Sequence, residues 1–160
     1  MAKTTQAIPK GYHTVTPTLF VAGAAQAIDF YKKALGAEER MRFPAPDGTI
    51  MHAEIQIGDS ILMLGDEMPE PGGKSPKTLG GSPVSFFLYL DNVDAAWKRA
   101  IEAGGKEVMP LEDQFWGDRA GCFEDPFGHS WWLAQHLRDM TPEELSRAAE
   151  AHFSHMQPAN

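Results

Sequence analysis

The spacing of apolar residues predicts a strand and then a helix near the start of the chain. Between residues 14 and 21, positions alternate between two different faces, which is the period of a strand. The next apolar residues recur at the spacing of one helix face: Ala24, Ala27, Ile28, Tyr31 and Leu35. Gly36 supplies the left-handed residue that commonly ends such a helix.

Three more strands are predicted over residues 37–46, 49–57 and 60–64, which completes a βαβββ module. Residues 66–83 then hold four prolines and four glycines, a composition that we expect to exclude a helix or central strand and to form a linker. After this linker the order repeats. The elements of the repeat are a strand at 84–90, a helix capped by Asp91 or Asn92 and ended by Gly104-Gly105, and a strand at 107–115.

The stretch Trp116–Trp132, WGDRAGCFEDPFGHSWW, predicts a hairpin that closes the second module, with its turn at Asp125-Pro126-Phe127-Gly128. Residues 47–64 have the same layout, because Gly58-Asp59-Ser60 lies 70 positions before Gly128-His129-Ser130. The second module is therefore predicted to be an internal repeat of the first.

These elements predict an α+β fold with two tandem βαβββ modules forming facing curved sheets, plus a C-terminal helix. We place the modules at residues 11–68 and 84–136, the linker at 69–83 and a helical extension at 137–160. The capping box Thr141-Pro142-Glu143-Glu144 marks the start of the last helix.

One face of each sheet should lie under its helix, and the other face should line a concavity. By the repeat, Cys122 and Glu124 should occupy the places of His52 and Glu54. Keeping Leu62 in the concavity requires a bulged or odd-length turn at residues 58–60. The candidate ligand-binding residues lie on or beside this concave side: Thr16, Phe20, His52, Glu54, Leu62, Ser85, Phe87, Tyr89, Trp116, Arg119, Cys122, Glu124 and Trp132. On the same side we place Thr18, Gln56, Leu64, Ser130 and Ala134.

The composition narrows the classes of partner. A formal net charge of -8 and a pI near 5.1 disfavour nucleic acid and anionic membranes, so we expect a small molecule or another protein as the partner. Cys122 is the only cysteine, which excludes an intrachain disulfide. The start of the sequence lacks the apolar core of a signal peptide, and we expect a cytoplasmic location.

Several stretches resemble the vicinal oxygen chelate superfamily, which includes glyoxalase I, the bleomycin and fosfomycin resistance proteins and extradiol dioxygenases. The helix AIDFYKKALGAEE (residues 27–39) and the turn DPFGH (residues 125–129) carry this resemblance. The stretches MHAEIQIGDSILML and WGDRAGCFEDPFGHSWWLAQH are more similar to its PhnB-like branch. The resemblance covers roughly residues 11 to 137 and implies paired βαβββ modules, often completed across a homodimer.

The resemblance also implies a divalent-metal site, usually built from His and Glu on the first and last strands of each module. The matching positions in this chain hold other residues: Thr16, Leu62, Ser85 and Trp132. None is a usual ligand for such a metal, so we expect no cofactor at the usual site. A displaced divalent metal stays open as an alternative, with these candidate ligands: His52, Glu54, Glu124 and His129.

Other candidates have two readings each. Cys122 is either a nucleophile or a small buried hydrophobe. Arg119 either anchors an anionic ligand group or forms an ion pair that fixes the hairpin. Trp116 either caps the pocket or covers the sheet edge. Trp97 and Trp131 fall on helix-facing positions and are predicted to be core.

Trp132 carries the functional prediction, because it places a flat aromatic surface where relatives place a carboxylate. We predict a glyoxalase/bleomycin-resistance-like homodimer that binds an amphipathic, planar small molecule, with Glu54 and Glu124 supplying charge complementarity. The alternative is a lyase, isomerase or dioxygenase-type enzyme. It would use a displaced divalent metal, or Glu54 or Glu124 as general base, with His52 as a further catalytic candidate.

Overall fold

The computed structural model describes residues 6–69 and 71–156, which form two four-stranded sheets and their helices. The first module contains β1 (Thr18–Val21), α1 (Ala24–Leu35), β2 (Glu38–Pro44), β3 (Ile50–Ile57) and β4 (Ser60–Asp66). A short helix, α2 (Pro76–Leu79), follows. The second module contains β5 (Ser85–Tyr89), α3 (Val93–Glu102), β6 (Lys106–Asp113), β7 (Asp118–Glu124) and β8 (Ser130–His136). The last helix is α4 (Pro142–Ser154).

The two sheets have the same topology, which confirms the tandem βαβββ prediction. Their strand orders are β1-β4-β3-β2 and β5-β8-β7-β6. The first strand of each module pairs in parallel with the last, and the other neighbours are antiparallel. None of the helices in the described part of the chain is long and apolar enough to cross a membrane.

Local signals placed most helix ends correctly. Gly36 ends α1 with a left-handed φ of 65°. The Asn92 side chain accepts a hydrogen bond from the Ala95 amide at the start of α3. Thr141 and Glu144 form the expected reciprocal capping box of α4.

The prediction that residues 66–83 exclude a helix is wrong, because α2 lies inside them. Ser75 caps α2 through its side chain, and Pro76 stands at the first helical turn, where proline needs no hydrogen-bond partner. Gly80 ends the helix with a φ of 82°. At the other boundary, β1 begins only at Thr18, so residues 14–17 add no strand.

The helix-bearing sides of the two modules share one core. Helix α1 packs against α3, and Phe30 and Tyr31 of α1 contact aromatic residues of the second module. Trp131 is fully buried in this core, as predicted, and Trp97 packs at its border. Within the described residues, no strand of one sheet packs closely on a strand of the other. The two concave faces therefore do not cover each other within one chain.

The predicted face of Leu62 is wrong, and so is that of Leu64, because the β3–β4 turn has no bulge. Ile57 pairs directly with Ser60, which leaves a regular two-residue turn at Gly58-Asp59. Paired residues share a face, so Leu62 lies beside Ile55 under the helix. The neighbour that faces the concavity is Met63.

The second turn is one residue longer than the first, and this changes the repeat. The Asp125 amide donates to the His129 carbonyl across three residues, of which Gly128 has a φ of 92°. Trp132 pairs with Cys122 and Phe87, just as Met63 pairs with Glu54 and Thr18. Cys122 is thus equivalent to Glu54, and the predicted match of Cys122 with His52 is wrong.

Candidate functional site

The concave face of the second module carries a partly exposed aromatic surface. Strands β5 and β8 pair in parallel, which brings Phe87 beside Trp132 and Ser85 beside Ser130, on the predicted side. The Phe87 and Trp132 rings stack with centroids 5.8 Å apart and planes 17° apart. Tyr89 continues the surface, 5.3 Å from Phe87. Phe87 is 44% exposed and Tyr89 is 63% exposed, so the surface is accessible in the single chain.

Asp118 anchors one end of this surface, although no pattern in the sequence indicates it as a site residue. Its carboxylate is buried and accepts hydrogen bonds from the Tyr89 hydroxyl at 3.0 Å and the Trp116 indole at 2.9 Å. The bond from Tyr89, with desolvation second, raises the pKa of the phenol. Trp116 therefore joins the site as a hydrogen-bond donor that fixes the carboxylate.

His136 lies between two carboxylates at the rim of the same face. Its Nδ1 is 2.7 Å from Asp118 Oδ1, and its Nε2 is 2.9 Å from Asp139 Oδ1. These hydrogen bonds, to Asp118 first and Asp139 second, raise the pKa of the imidazole above its usual value of 6.5. A depression of about 340 Å³ opens beside it, lined by Tyr89 and Gln135 among others.

The raised pKa of His136 predicts a pH-dependent contribution to stability. A histidine whose pKa is raised on folding stabilises the folded state fully below its unfolded-state pKa of 6.5. This contribution to the free energy of unfolding is lost as the pH rises through the folded-state pKa. His136→Asn should therefore lower the melting temperature more at about pH 6 than at about pH 9. Thermal melts at both pH values measure this, with the exposed His155→Asn as control. Equal losses at both pH values would contradict the assignment.

Cys122 and Glu124 lie on the concave side of β7, but Cys122 is only 5% exposed. Burial, followed by the charge of Glu124, raises the pKa of the thiol. A raised pKa keeps the thiol protonated, so the structure favours the reading of Cys122 as a small buried hydrophobe. Glu124 pairs with Ser130 and stays half-buried at the start of the turn.

Arg119 points away from the concave face. Its guanidinium makes hydrogen bonds to Asp94 on α3, at 2.9 Å, and to Asp113, at 3.0 Å. The bonds to Asp94 and then Asp113 raise the pKa of the guanidinium. Of the two roles predicted for Arg119, the structure therefore favours the ion pair that fixes the hairpin. The guanidinium does not contribute its charge to the concave face.

The concave face of the first module centres on Glu54. This carboxylate is 4% exposed and accepts a hydrogen bond from the Tyr12 hydroxyl, while His52 Nε2 lies 3.4 Å away. The Phe43 and His52 rings stack with centroids 6.2 Å apart. Tyr12 was missed in the sequence, because it belongs to a segment before β1 that carries no periodic pattern.

The other predicted residues are dispersed. Phe20 lies on the concave side of β1, but the linker covers it: a Cβ at Gly73 would fall 2.1 Å from the Phe20 ring. Thr16 donates to the His13 carbonyl at 3.3 Å. His129 contacts the Phe20 carbonyl at 3.2 Å rather than the other three displaced-metal candidates. Within residues 6–69 and 71–156, no group of three His, Cys, Asp or Glu side chains could hold a metal ion.

A cleft of about 610 Å³ lies where the two modules meet, beside the free edge of β5. Segment 13–17, the β3–β4 turn and residues Phe86–Leu90 contribute to its lining. It borders the aromatic surface through Phe87 and Tyr89, and extends the space that a ligand could occupy.

Comparison with known proteins agrees with this fold. Residues 12–133 match the family model described as the Glyoxalase/Bleomycin resistance protein/Dioxygenase superfamily. The chain belongs to this superfamily. The uncharacterised protein Rv0887c of Mycobacterium tuberculosis is 47% identical to it, over 84% of this chain and 81% of the relative.

Solved structures of other members have the same architecture. TioX from Micromonospora sp. ML1 is 29% identical and superposes with a TM-score of 0.61, over 81% of this chain and 100% of TioX. A PhnB protein from Bacillus cereus, described as a putative 3-demethylubiquinone-9 3-methyltransferase, has a TM-score of 0.60 at 18% identity. The superposition covers 77% of this chain and 99% of the PhnB protein. At that identity the likeness shows a shared fold.

The donor set of this chain does not fit the divalent metal of the superfamily's metal enzymes. With the corrected register, the matching positions hold Thr16, Met63, Ser85 and Trp132. An indole offers no lone pair to a metal, and neutral hydroxyls with one thioether bind zinc or manganese weakly.

Proposed function

We propose that the protein binds an amphipathic, planar small molecule on the aromatic concave face of the second module. The stacked, partly exposed Phe87–Trp132 pair carries this proposal. Flat aromatic surfaces favour planar ligands through offset stacking and area burial. The surface stands at the position where metal enzymes of the superfamily hold a metal ligand, so the stacking surface replaces coordination chemistry.

The charges around the surface favour a neutral or cationic ligand. Asp118 and Glu124 lie on the concave side, while the guanidinium of Arg119 is turned away to Asp94 and Asp113. A cation over an aromatic face gains from the ring quadrupole, and nearby carboxylates add to that attraction. An anionic ligand would meet the opposite field.

Replacing Trp132 with alanine tests the proposal. Loss of the stacking surface should weaken binding of a planar aromatic amine by on the order of 1 kcal/mol or more. A ligand screen followed by tryptophan fluorescence and calorimetry measures this, with Trp97→Ala as the control variant outside the concave face. If wild-type emission responds to no planar ligand in the screen, the surface is a packing surface and the proposal fails.

We propose further that two chains form a homodimer in which concave faces meet. Both faces leave apolar residues open in the single chain, including Phe43 at 57% and Met109 at 44% exposure. Contiguous exposed apolar patches of this kind mark interaction sites. Helices α1 and α3 cover the opposite side of each sheet. Another chain is therefore needed to bring a second sheet against a concave face.

The dimer predicts a solution mass of twice the chain mass of 17.6 kDa. Light scattering at micromolar concentration measures this mass directly. Phe43→Asp should shift the mass toward the monomer, because it places a charge on the covered face. The control Phe153→Asp lies on α4, outside both sheets, and should leave the mass unchanged. A wild-type monomer at that concentration would exclude the proposed assembly.

A further inference from the structure

We infer that Glu54 is the acceptor of a subsite for a neutral hydroxyaromatic group, and that Tyr12 of the same chain occupies this subsite as an intramolecular stand-in. The inference rests on the proposed function, because the first module's concave face would line the same dimer cavity as the Phe87–Trp132 surface. It goes beyond that function by naming a ligand group and an internal competitor.

The burial of Glu54 creates a demand for hydrogen-bond donors. Its carboxylate is 4% exposed, and a buried carboxylate is costly unless donors satisfy it. Its cross-strand neighbours, Met41 and Met63, have no donor to offer. Within the described residues, its side-chain partners are the Tyr12 hydroxyl and His52. Any molecule that displaces Tyr12 must therefore bring a donor of its own.

Tyr12 arrives on a segment that is weakly held. Residues 6–17 form no helix or strand, and most of them are exposed. Beyond the Tyr12 hydroxyl, the segment is joined to the sheet by few hydrogen bonds, among them the Met63 amide to the Pro17 carbonyl at 2.9 Å. The Tyr12 amide donates to the Pro9 carbonyl at 3.1 Å, and the exposed His13 ring lies 3.1 Å from the Asp59 carbonyl. Segments with few buried contacts open at low free-energy cost, so this one can leave without unfolding the sheet.

The surroundings of the phenol select a neutral aromatic ring. The Phe43–His52 stack, with planes 22° apart, provides a flat surface beside Glu54. Arg40 is held on the same face by Gln56 at 2.9 Å, and its positive charge acts on the Tyr12 site. The hydrogen bond to Glu54 raises the pKa of Tyr12, so the proton stays on the phenol. A phenolate would be repelled by the charge of Glu54, whereas a neutral phenol donates its proton to that carboxylate.

The affinity of p-cresol, which reproduces the tyrosine side chain, tests the inference. Tyr12→Ala should bind p-cresol at least about tenfold more tightly than the wild type, because the internal competitor is gone. Toluene, which lacks the hydroxyl, should show no such gain. His13→Ala is the matched control, since it alters the same segment without emptying the subsite. Ligand-observed NMR and calorimetry measure the dissociation constants.

The double variant Tyr12→Ala/Glu54→Met should lose the gain, because methionine removes the acceptor. An unchanged p-cresol affinity in Tyr12→Ala, an equal gain for toluene, or a gain that survives Glu54→Met would overturn the inference. If Tyr12→Ala fails to fold, Tyr12→Phe replaces it: losing its bond to Glu54 should still strengthen p-cresol binding, and no gain there also overturns the inference.

The two proposals fail separately. The four tryptophans all lie in the second module, so the difference in fluorescence response between the wild type and Trp132→Ala isolates the contribution of the aromatic surface. A response there, combined with no gain in Tyr12→Ala, removes only the hydroxyaromatic subsite. A silent fluorescence screen, combined with a p-cresol gain, removes the Trp132 surface and leaves the Glu54 subsite standing.

Discussion

Replacing Asp125 with alanine is expected to lower the free energy of unfolding by about 3–5 kcal/mol, because it leaves several buried donors without acceptors. Asp125 is 2% exposed. One carboxylate oxygen accepts from the Tyr31 hydroxyl at 2.7 Å and the Trp131 indole at 2.8 Å. The other accepts the amides of Phe127 and His129. This side chain thus ties α1 of one module to the turn of the other.

Chemical denaturation measures the loss, and two further variants test its cause. Asp47→Ala removes a similar carboxylate that accepts from the Thr49 amide, but in an exposed turn, so it should change stability far less. Asp125→Asn keeps an acceptor and should fall between the wild type and Asp125→Ala. An Asp125→Ala protein as stable as Asp47→Ala would show that water satisfies the orphaned donors.

Trp131→Ala is expected to cost about 3–5 kcal/mol, whereas Trp132→Ala, one residue away, should cost much less. Trp131 is fully buried between Tyr31 and Phe86, at centroid distances of 5.2 Å and 4.7 Å. Trp132 faces the open concavity instead. Removing the Trp131 ring leaves a cavity that the shared core cannot fill.

Denaturant unfolding of both variants measures this difference. Equal transition midpoints for Trp131→Ala and Trp132→Ala would contradict the prediction. In that case Trp132 would have to be a core residue as well. Trp131→Phe separates the packing contribution from the hydrogen bond, since it keeps much of the ring but removes the donor to Asp125.

Much of the fold follows from local signals in the sequence. The alternation of strands and the apolar stripes of α1 and α3 depend on neighbours close in the chain. The glycine after α1 and the capping box of α4 act within one helical turn. Elements of this kind were predicted at nearly their observed bounds.

The register could not be predicted, because it depends on turn length. One additional residue in the Asp125–His129 turn shifts every later position of β8 relative to β4. Matching the two modules by a constant spacing of positions therefore made Leu62, rather than Met63, the equivalent of Trp132. The error moves a side chain from one face of the sheet to the other.

The hydrogen-bond partners of the candidate site were also beyond the sequence. Tyr12 and Glu54 are 42 positions apart, and Tyr89 and Asp118 are 29 apart. No periodic pattern links such residues, because their approach is decided by how the strands are ordered in each sheet. Alternation along a strand found side chains that share a face, such as Phe87 and Trp132 in one sheet and His52 and Glu54 in the other.

The core that α1 and α3 share makes the two repeated units depend on each other. Each βαβββ unit repeats the element order of the other, yet its apolar interior is completed by α1 or α3 of the other unit. Because the buried cluster is shared, we expect the two units to unfold in one cooperative transition. A substitution in the shared core should therefore destabilise both units. The concave faces lie outside that core, so their residues can differ between the two units without disturbing it.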